Sequence, residues 1–325
     1  MKKLFTIILI FISFATLAQN ENAKIYTSDI TNFWTAYDSV LTTKNEIKQI
    51  YFIQTLYVEK ASAGLKDFIQ LRNFTSEEWA KDINQCPKFW TSIRSKTLAI
   101  QAQTVLLEHL MERFKELYPS FKRPDIYFAI GCLRSGGTTT IDKILIGAEI
   151  AAADSSIDAS ELGKWLQGVF KVNKGIDQLV AHEAGHTQQI EEGDDIELLG
   201  ECLREGSCDF ISEMLLEKSY NAPYMIYGKE NEALIFKKFQ KQKFGNKTSD
   251  WLSNGDNAPG GHADLGYFIG YIICKSYFDK SMDKAKALTE IIKLNYENNK
   301  DIRTFYEKTS YNGKEKKTDN NLNKR

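Results

Sequence analysis

Two histidines and a glutamate fall within one helical turn of the segment LVAHEAGHTQQ, residues 179–189. Positions i and i+4 of an α-helix lie about 40° apart around the axis, so His182 and His186 should project from one face. Two neutral imidazoles at that spacing can both bind one tetrahedral cation at about 2 Å. Glu183 lies on the flank of this face, where it can contact a water molecule without binding the cation. The pattern therefore predicts a metal site that activates water.

This spacing is the HExxH signature, which is typical of metalloprotease helices. Ala184 has a small side chain and Gly185 has none, so another element can approach this turn closely. The alternative is a pair of polar histidines on a solvated helix face. That alternative leaves the acidic residues of the following helix unexplained.

A catalytic zinc site needs a third protein ligand and one open position. The segment GECLREGSCDFISEM, residues 200–214, carries Glu201, Glu205 and Asp209 at four-residue intervals. Like charges at that spacing repel each other on an isolated helix, and a nearby cation removes the repulsion. We predict that Glu205 is the third ligand. Asp209, one turn later, can bind the outer nitrogen of a ligating histidine and fix its tautomer.

The elements around these motifs predict a mostly helical α+β protein. Helical periodicity covers most of residues 28–118, and it returns after residue 158. DIYFAIG (125–131) reads as a buried strand, RSGGTTT (134–140) as a turn, and KILIGAEIAA (143–152) as a second strand or strand pair. We therefore expect a small sheet close to the metal-binding helices.

Composition restricts the class of protein. The 325 residues are 42% hydrophobic and 26% charged, with a formal net charge of −1, which is ordinary for a globular protein. No basic stripe with interleaved aromatic residues is present, so nucleic acid is not an expected partner. Five scattered cysteines do not form a disulfide framework and are expected to be small buried residues.

The amino terminus predicts export. Lys2 and Lys3 precede an apolar run from Leu4 to Phe14, and small residues precede a cleavage point after Ala18. We therefore predict a signal peptide at 1–18, with no membrane span after cleavage and a periplasmic or secreted location. A helical region at 19–118, a catalytic domain at 119–310 and a polar tail at 311–325 complete the predicted organisation.

HEAGH, followed by Glu205 and Asp209, resembles the gluzincin zinc metallopeptidases. Over roughly residues 120–280 the chain is more similar to a bacterial family of zinc-dependent proteases still classed as a domain of unknown function. Three segments carry that second likeness: SGGTTTIDKILIGAEI, EGSCDF and LGYFIGY. The resemblance implies a zincin-like fold, one Zn²⁺ ion and a peptide or protein substrate.

The resemblance also implies roles for individual residues. His182, His186 and Glu205 would bind zinc, Glu183 would be the general base and then the acid, and Asp209 would support His182. An oxyanion donor is expected at Tyr267 or His262, with Tyr271 a weaker candidate.

A substrate-binding edge strand is expected at KILIGAEI, including Ile146, Gly147, Ala148 and Glu149. Glu149 additionally resembles the amine-binding glutamate of zinc aminopeptidases. These expectations leave open whether the substrate is cut within the chain or at an end.

Two other functional classes remain at this point. One is a non-catalytic, zinc-stabilised envelope binding protein on a peptidase scaffold, which would need a fourth protein ligand such as Glu201 or His262. The other is a helical interaction module located in residues 20–118. That region could equally form a lid or a wall of a substrate cleft.

Overall fold

The computed structural model describes residues 24–173, 175–190, 192–193 and 196–313. The predicted signal peptide and the part of the predicted tail beyond residue 313 lie outside the described residues. The chain is mostly helical with one small sheet, so the predicted α+β class is confirmed. None of the described helices is long and apolar enough to cross a membrane.

Six helices follow a short first strand, β1 (Ile25–Tyr26). They are α1 (Ser28–Val40), α2 (Glu46–Ile53), α3 (Ala63–Arg72), α4 (Ser76–Gln85), α5 (Pro87–Leu98) and α6 (Thr104–Leu117). Side-chain caps define several of their starts: Asn45, Ser62 and Thr75 each accept a hydrogen bond from a backbone N–H in the first turn. Such caps satisfy donors that have no partner within the helix.

The sheet contains β1, β2 (Asp125–Ala129), β3 (Gly137–Thr139) and β4 (Lys143–Gly147), in the order β1-β2-β4-β3. β1 and β4 both run parallel to β2, whereas β3 runs antiparallel to β4. The central strands are buried on both faces, which explains their continuous apolar sequences. β3 is an edge strand within the segment that the sequence predicted to be only a turn.

Eight helices follow the sheet: α7 (Ala148–Ala151), α8 (Lys164–Val172), α9 (Ile176–His186), α10 (Leu198–Leu216), α11 (Pro223–Gln240), α12 (Leu265–Lys280), α13 (Lys284–Ile292) and α14 (Asn299–Thr309). The strand predicted at 143–152 is therefore too long, because it turns into α7 at Ala148. Tyr311 is buried against Phe236, so the predicted tail starts later than residue 311.

Two buried cores hold these elements together. The first joins the N-terminal helices to the sheet and α9, so the core does not divide at the predicted boundary of residue 119. The second surrounds α10, α11 and α12. Glycines bring α10 and α12 into close contact, because a Cβ on Gly270 would lie 1.7 Å from the carbonyl oxygen of Cys202. All five cysteines are buried.

Candidate metal centre

Helix α9 places the two histidines of the HEAGH segment side by side at its carboxyl end. Their Nε2 atoms are 3.1 Å apart, and both side chains are largely buried. Gly185 lets α10 pack against this turn, since a Cβ there would lie 2.9 Å from Sγ of Cys208. The next helix therefore reaches the histidines at short range.

Glu205 of α10 completes a group of three donors. Its Oε2 atom lies 3.2 Å from Nε2 of His186 and 3.5 Å from Nε2 of His182. Ligands about 2 Å from a tetrahedral centre are about 3.3 Å apart, and the three separations fit this geometry. Arg204 pairs with the other oxygen, Oε1, at 3.0 Å. That ion pair orients Oε2 towards the histidines.

The outer nitrogens fix the tautomer of each histidine. Nδ1 of His182 donates to Oδ1 of Asp209 at 2.8 Å, and Nδ1 of His186 donates to Oε1 of Gln189 at 2.8 Å. The amide of Gln189 is oriented by its own donation to the carbonyl of Arg204 at 2.8 Å. Each Nε2 atom therefore presents a lone pair. When both histidines are neutral, the two Nε2 lone pairs and a carboxylate oxygen converge on one point, an arrangement that a cation stabilises.

The charges of this cluster support the same conclusion. Burial lowers the pKa of His182, but hydrogen bonds to Asp209 and Glu205 outweigh it and raise the pKa well above its ordinary value. Burial raises the pKa of Glu205, yet the two imidazoles hold it well below its usual range. The pocket thus favours a positive charge, carried by a proton or by a bound cation, beside an ionised carboxylate. Two imidazoles and one carboxylate are a donor set that suits zinc.

Asp209 is the fully buried support of His182. Its second oxygen, Oδ2, accepts a hydrogen bond from the hydroxyl of Tyr224 at 3.0 Å. The predicted pairing of Asp209 with a histidine is therefore present in the structure. Tyr224 was not predicted because its contact with Asp209 depends on a chain segment that follows the two motifs. Gln189 was not predicted either, although it lies only three residues after His186 in the first motif segment.

Glu183 lies beside the three donors but is not one of them. It is 6% exposed, and its carboxylate packs against the backbone of β3. A Cβ on Gly137 would be 2.6 Å from Oε1 of Glu183, so only glycine allows this approach. Burial raises the pKa of Glu183 above its ordinary value, although the two histidines and Arg72 partly oppose the rise. A buried carboxylate next to the metal-ligand group is placed to act as a proton acceptor.

The three oxyanion candidates differ in position. The Tyr267 ring lies 6.1 Å from the ring of His182, so this tyrosine belongs to the site. His262 is exposed and stacks on Tyr227, and no described contact joins it to the three donors. Tyr271 donates to Oε2 of Glu213 at 2.8 Å. The structure therefore brings Tyr267, and neither of the other two, next to the donor group.

The predicted edge strand at Ile146, Gly147, Ala148 and Glu149 is wrong. β4 pairs with β2 on one side and β3 on the other, so Ile146 and Gly147 are interior, and the two later residues belong to α7. Glu149 is fully buried and accepts hydrogen bonds from the N–H groups of Gly131 at 2.9 Å and Leu133 at 3.3 Å. Its carboxylate is therefore shielded from solvent and bound to the backbone, which argues against a role in binding a substrate amine.

Comparison with known families gives one match. Residues 168–298 match a family described as predicted Zn-dependent protease (DUF2268). The match includes α9, α10 and α12, which carry the donor group and Tyr267, and it leaves the sheet outside. It supports the resemblance to zinc-dependent proteases inferred from the motifs. No curated protein and no solved structure matches the chain significantly.

Proposed function

We propose that this protein is a zinc-dependent peptidase of the gluzincin type, with one ion held by His182, His186 and Glu205. The observation that carries the proposal is the convergence of three potential ligand atoms, two Nε2 and one Oε2, beside a fourth, non-ligating carboxylate, Glu183. A purely structural zinc site has no use for that carboxylate. The family description of residues 168–298 supports the same class of enzyme.

Zinc in such a site supplies Lewis acidity, which makes water more acidic and polarises a scissile carbonyl. Glu183 takes the proton of the attacking water and then delivers it to the leaving amine. Asp209 keeps His182 in the tautomer whose Nε2 can bind a metal. Tyr267 is the proposed donor to the developing oxyanion.

Peptide binding is proposed at β3 in place of the strand that the sequence predicted. The edge of β3 away from β4 is unpaired within the sheet, and its Gly137 contacts Glu183. A peptide added to this edge would pass the proposed general base. Main-chain hydrogen bonds give affinity in this mode, and side-chain pockets give preference.

The non-catalytic alternative requires a fourth protein ligand. Glu201 pairs with Arg204 at 3.2 Å, and His262 stacks on Tyr227. Neither belongs to the donor group found among the described residues. This arrangement favours an open coordination position, as catalysis requires. The alternative of a helical interaction module in residues 20–118 is disfavoured because those helices share a core with the sheet and α9.

We also propose that the protein is exported and acts in the periplasm or outside the cell. The support is the sequence of residues 1–18 alone, with two lysines, an apolar run and small residues before the cleavage point.

The test of the enzyme proposal combines metal analysis with hydrolysis. The purified full chain is expected to hold one zinc ion and to cleave members of a mixed peptide library, and a chelator should abolish cleavage. Metal binding without any cleavage would favour the non-catalytic alternative. Cleavage that resists the chelator would contradict the proposed mechanism.

A further inference from the structure

The backbone groups of β3 that face away from the sheet can be identified from its hydrogen bonds. Gly147 N–H donates to the carbonyl of Gly136 at 2.8 Å, and Thr140 N–H donates to the carbonyl of Lys143 at 2.9 Å. Bonded and non-bonded pairs alternate along antiparallel strands. Gly137 and Thr139 are therefore in non-bonded pairs, and their N–H and C=O groups point to the open edge.

An arginine from the N-terminal helices occupies one end of this edge. Arg72, the last residue of α3, donates from Nη2 to the outward carbonyl of Gly137 at 3.0 Å. The hydroxyl of Ser135 donates to the same carbonyl at 3.1 Å. A peptide strand on β3 could not use that carbonyl. The hydrogen bonds between such a peptide and β3 would therefore end next to the guanidinium of Arg72.

Arg72 forms no ion pair with a carboxylate of the described residues. Each of the other six arginines in the described ranges forms an ion pair with an aspartate or glutamate: Arg94, Arg113, Arg123, Arg134, Arg204 and Arg303. The side chain of Arg72 is partly exposed, whereas its Nε–H is buried and donates to no protein atom. The Nε–H of Arg113 is also buried without an acceptor although that arginine has an ion pair, so the exposed part of the Arg72 guanidinium is what an incoming group could reach. A guanidinium is the side chain best matched to a carboxylate, which it can bind with two parallel hydrogen bonds.

The position of Arg72 links this charge to the proposed reaction. It binds Gly137, and Gly137 contacts the carboxylate of Glu183. An anionic group held by Arg72 would lie at the end of the edge strand, close to the proposed general base. The charge of Arg72 acts on the carboxylate of Glu183. No ion pair joins these two side chains in the structure, so the guanidinium can still bind an incoming carboxylate.

We propose that Arg72 binds a carboxylate of the peptide substrate and makes the enzyme selective for peptides that carry one beside the scissile bond. The proposal rests on the proposed peptidase function, which it refines. The carboxylate has two possible sources, the carboxyl terminus of the peptide or an acidic side chain. In either case the N-terminal helices supply a specificity residue to the site.

The test measures binding of uncleaved peptides by calorimetry. The full chain is used with zinc and with Glu183→Gln, which slows turnover enough for binding to be measured first. The probes are acetyl-trialanine, its carboxyl-terminal amide, and the amide of acetyl-Ala-Glu-Ala. A carboxylate-bearing probe should bind about 10- to 100-fold more tightly than the neutral amide, as expected for a charge-assisted hydrogen bond. Preference for the first or the third probe identifies the source.

Variants separate recognition from a structural role. Arg72→Met should remove the preference with little effect on the neutral amide, and Arg72→Lys should retain part of it. Arg94→Met, which breaks an exposed pair with Asp38 in the same helical region, should leave the preference unchanged. Equal weakening of acid and amide by Arg72→Met would mean that Arg72 only supports β3, and would overturn the proposal. A preference that survives Arg72→Met would assign the carboxylate to another group and also overturn it.

Failure of this inference is distinguishable from failure of the enzyme proposal. Cleavage of the peptide library by the unaltered chain, without any preference for acids, would refute the role of Arg72 and leave the peptidase standing. Preference of the kind described without any cleavage would refute the peptidase and leave a carboxylate-binding site. Absence of both binding and cleavage would refute both.

Discussion

The α-carbon of Gly137 lies against the carboxylate of Glu183, with space for a hydrogen atom and none for a methyl group. A Cβ on Gly137 would be 2.6 Å from Oε1 and 2.9 Å from Cδ of Glu183. This contact joins the edge strand β3 to the helix α9 that carries the proposed metal ligands. If a peptide binds along β3 as proposed, its distance from Glu183 is set by the absence of a side chain at Gly137.

Replacing Gly137 with alanine tests the importance of that contact. The methyl group would push β3 and Glu183 apart, and a misplacement of about 1 Å can lower a reaction rate about 100-fold. We expect kcat/KM for peptide cleavage to fall by about that factor while zinc content stays at its original level. Steady-state kinetics and metal analysis measure the two quantities.

Gly168→Ala is the matched control for this change. A Cβ on Gly168 of α8 would meet only Cγ of Pro223, at the ordinary contact distance of 3.7 Å. Alanine is also the better helix former, so stability should not fall. Full activity of Gly137→Ala would contradict the proposed close fit of β3 on Glu183.

Glu183→Gln separates catalysis from metal binding. Glutamine has nearly the same shape but cannot accept the proton, so turnover should fall by about 100- to 10,000-fold. Zinc should remain bound because Glu183 is outside the donor group. His186→Ala, by contrast, should lose the metal. Peptide cleavage at the original rate by Glu183→Gln would show that another group is the general base.

Asp209→Asn tests the support of His182. The amide oxygen of asparagine accepts a hydrogen bond from Nδ1–H more weakly than a carboxylate does, and its NH2 group can take the oxygen's place. The tautomer of His182 that exposes Nε2 is therefore less favoured. Loss of such a partner typically lowers metal affinity about 10- to 100-fold. Zinc affinity should be measured by competition with a chelator.

Tyr224→Phe should act in the same direction but more weakly. It removes one hydrogen bond from a hydroxyl to Oδ2 of Asp209, a step further from the metal ligands, and we expect a loss of less than about tenfold in zinc affinity. Tyr306→Phe, whose hydroxyl contacts Gln240 in the second core, is the control and should bind zinc normally. Equal zinc affinity in all variants would show that the hydrogen bonds from His182 to Asp209 and from Tyr224 to Asp209 do not affect metal binding.

The sequence predicted the parts of the site that depend on helical spacing. His182 and His186 are four residues apart on α9, and Glu205 and Asp209 are four apart on α10, so each pair shares a face whatever surrounds it. One assumption, that α9 and α10 pack together, then brings the four side chains to one place.

Contacts between residues that are far apart in the sequence could not be predicted from helical spacing. Arg72 binds the carbonyl of Gly137, which is 65 positions later in the sequence, and no local sequence pattern predicts that contact. β3 is three residues long and consists of glycine and threonine, so its sequence favours a turn until β4 provides a partner. Glu149 follows an apolar run as an exposed strand residue would, yet distant N–H groups bind it in the interior.

The buried Glu149 predicts a pH dependence of stability that is independent of the metal. Burial raises its pKa from 4.5 to about 7, although the N–H groups of Gly131 and Leu133 partly oppose the shift. Below pH 4.5 the carboxyl is protonated in both the folded and the unfolded chain. Between pH 4.5 and about 7 the folded chain binds more protons than the unfolded chain, so stability falls as pH rises.

Glu149→Gln removes this titration and should change the slope of stability against pH. The free energy of unfolding of the variant, relative to the unaltered chain, should increase by roughly 2–3 kcal/mol between pH 5 and pH 8. Urea unfolding at both pH values, in the presence of zinc, provides the measurement. The exposed Glu116 offers a control, since Glu116→Gln should follow the unaltered chain at both values. Parallel stability curves for Glu149→Gln and the unaltered chain would mean that the buried carboxyl does not change its charge in this range.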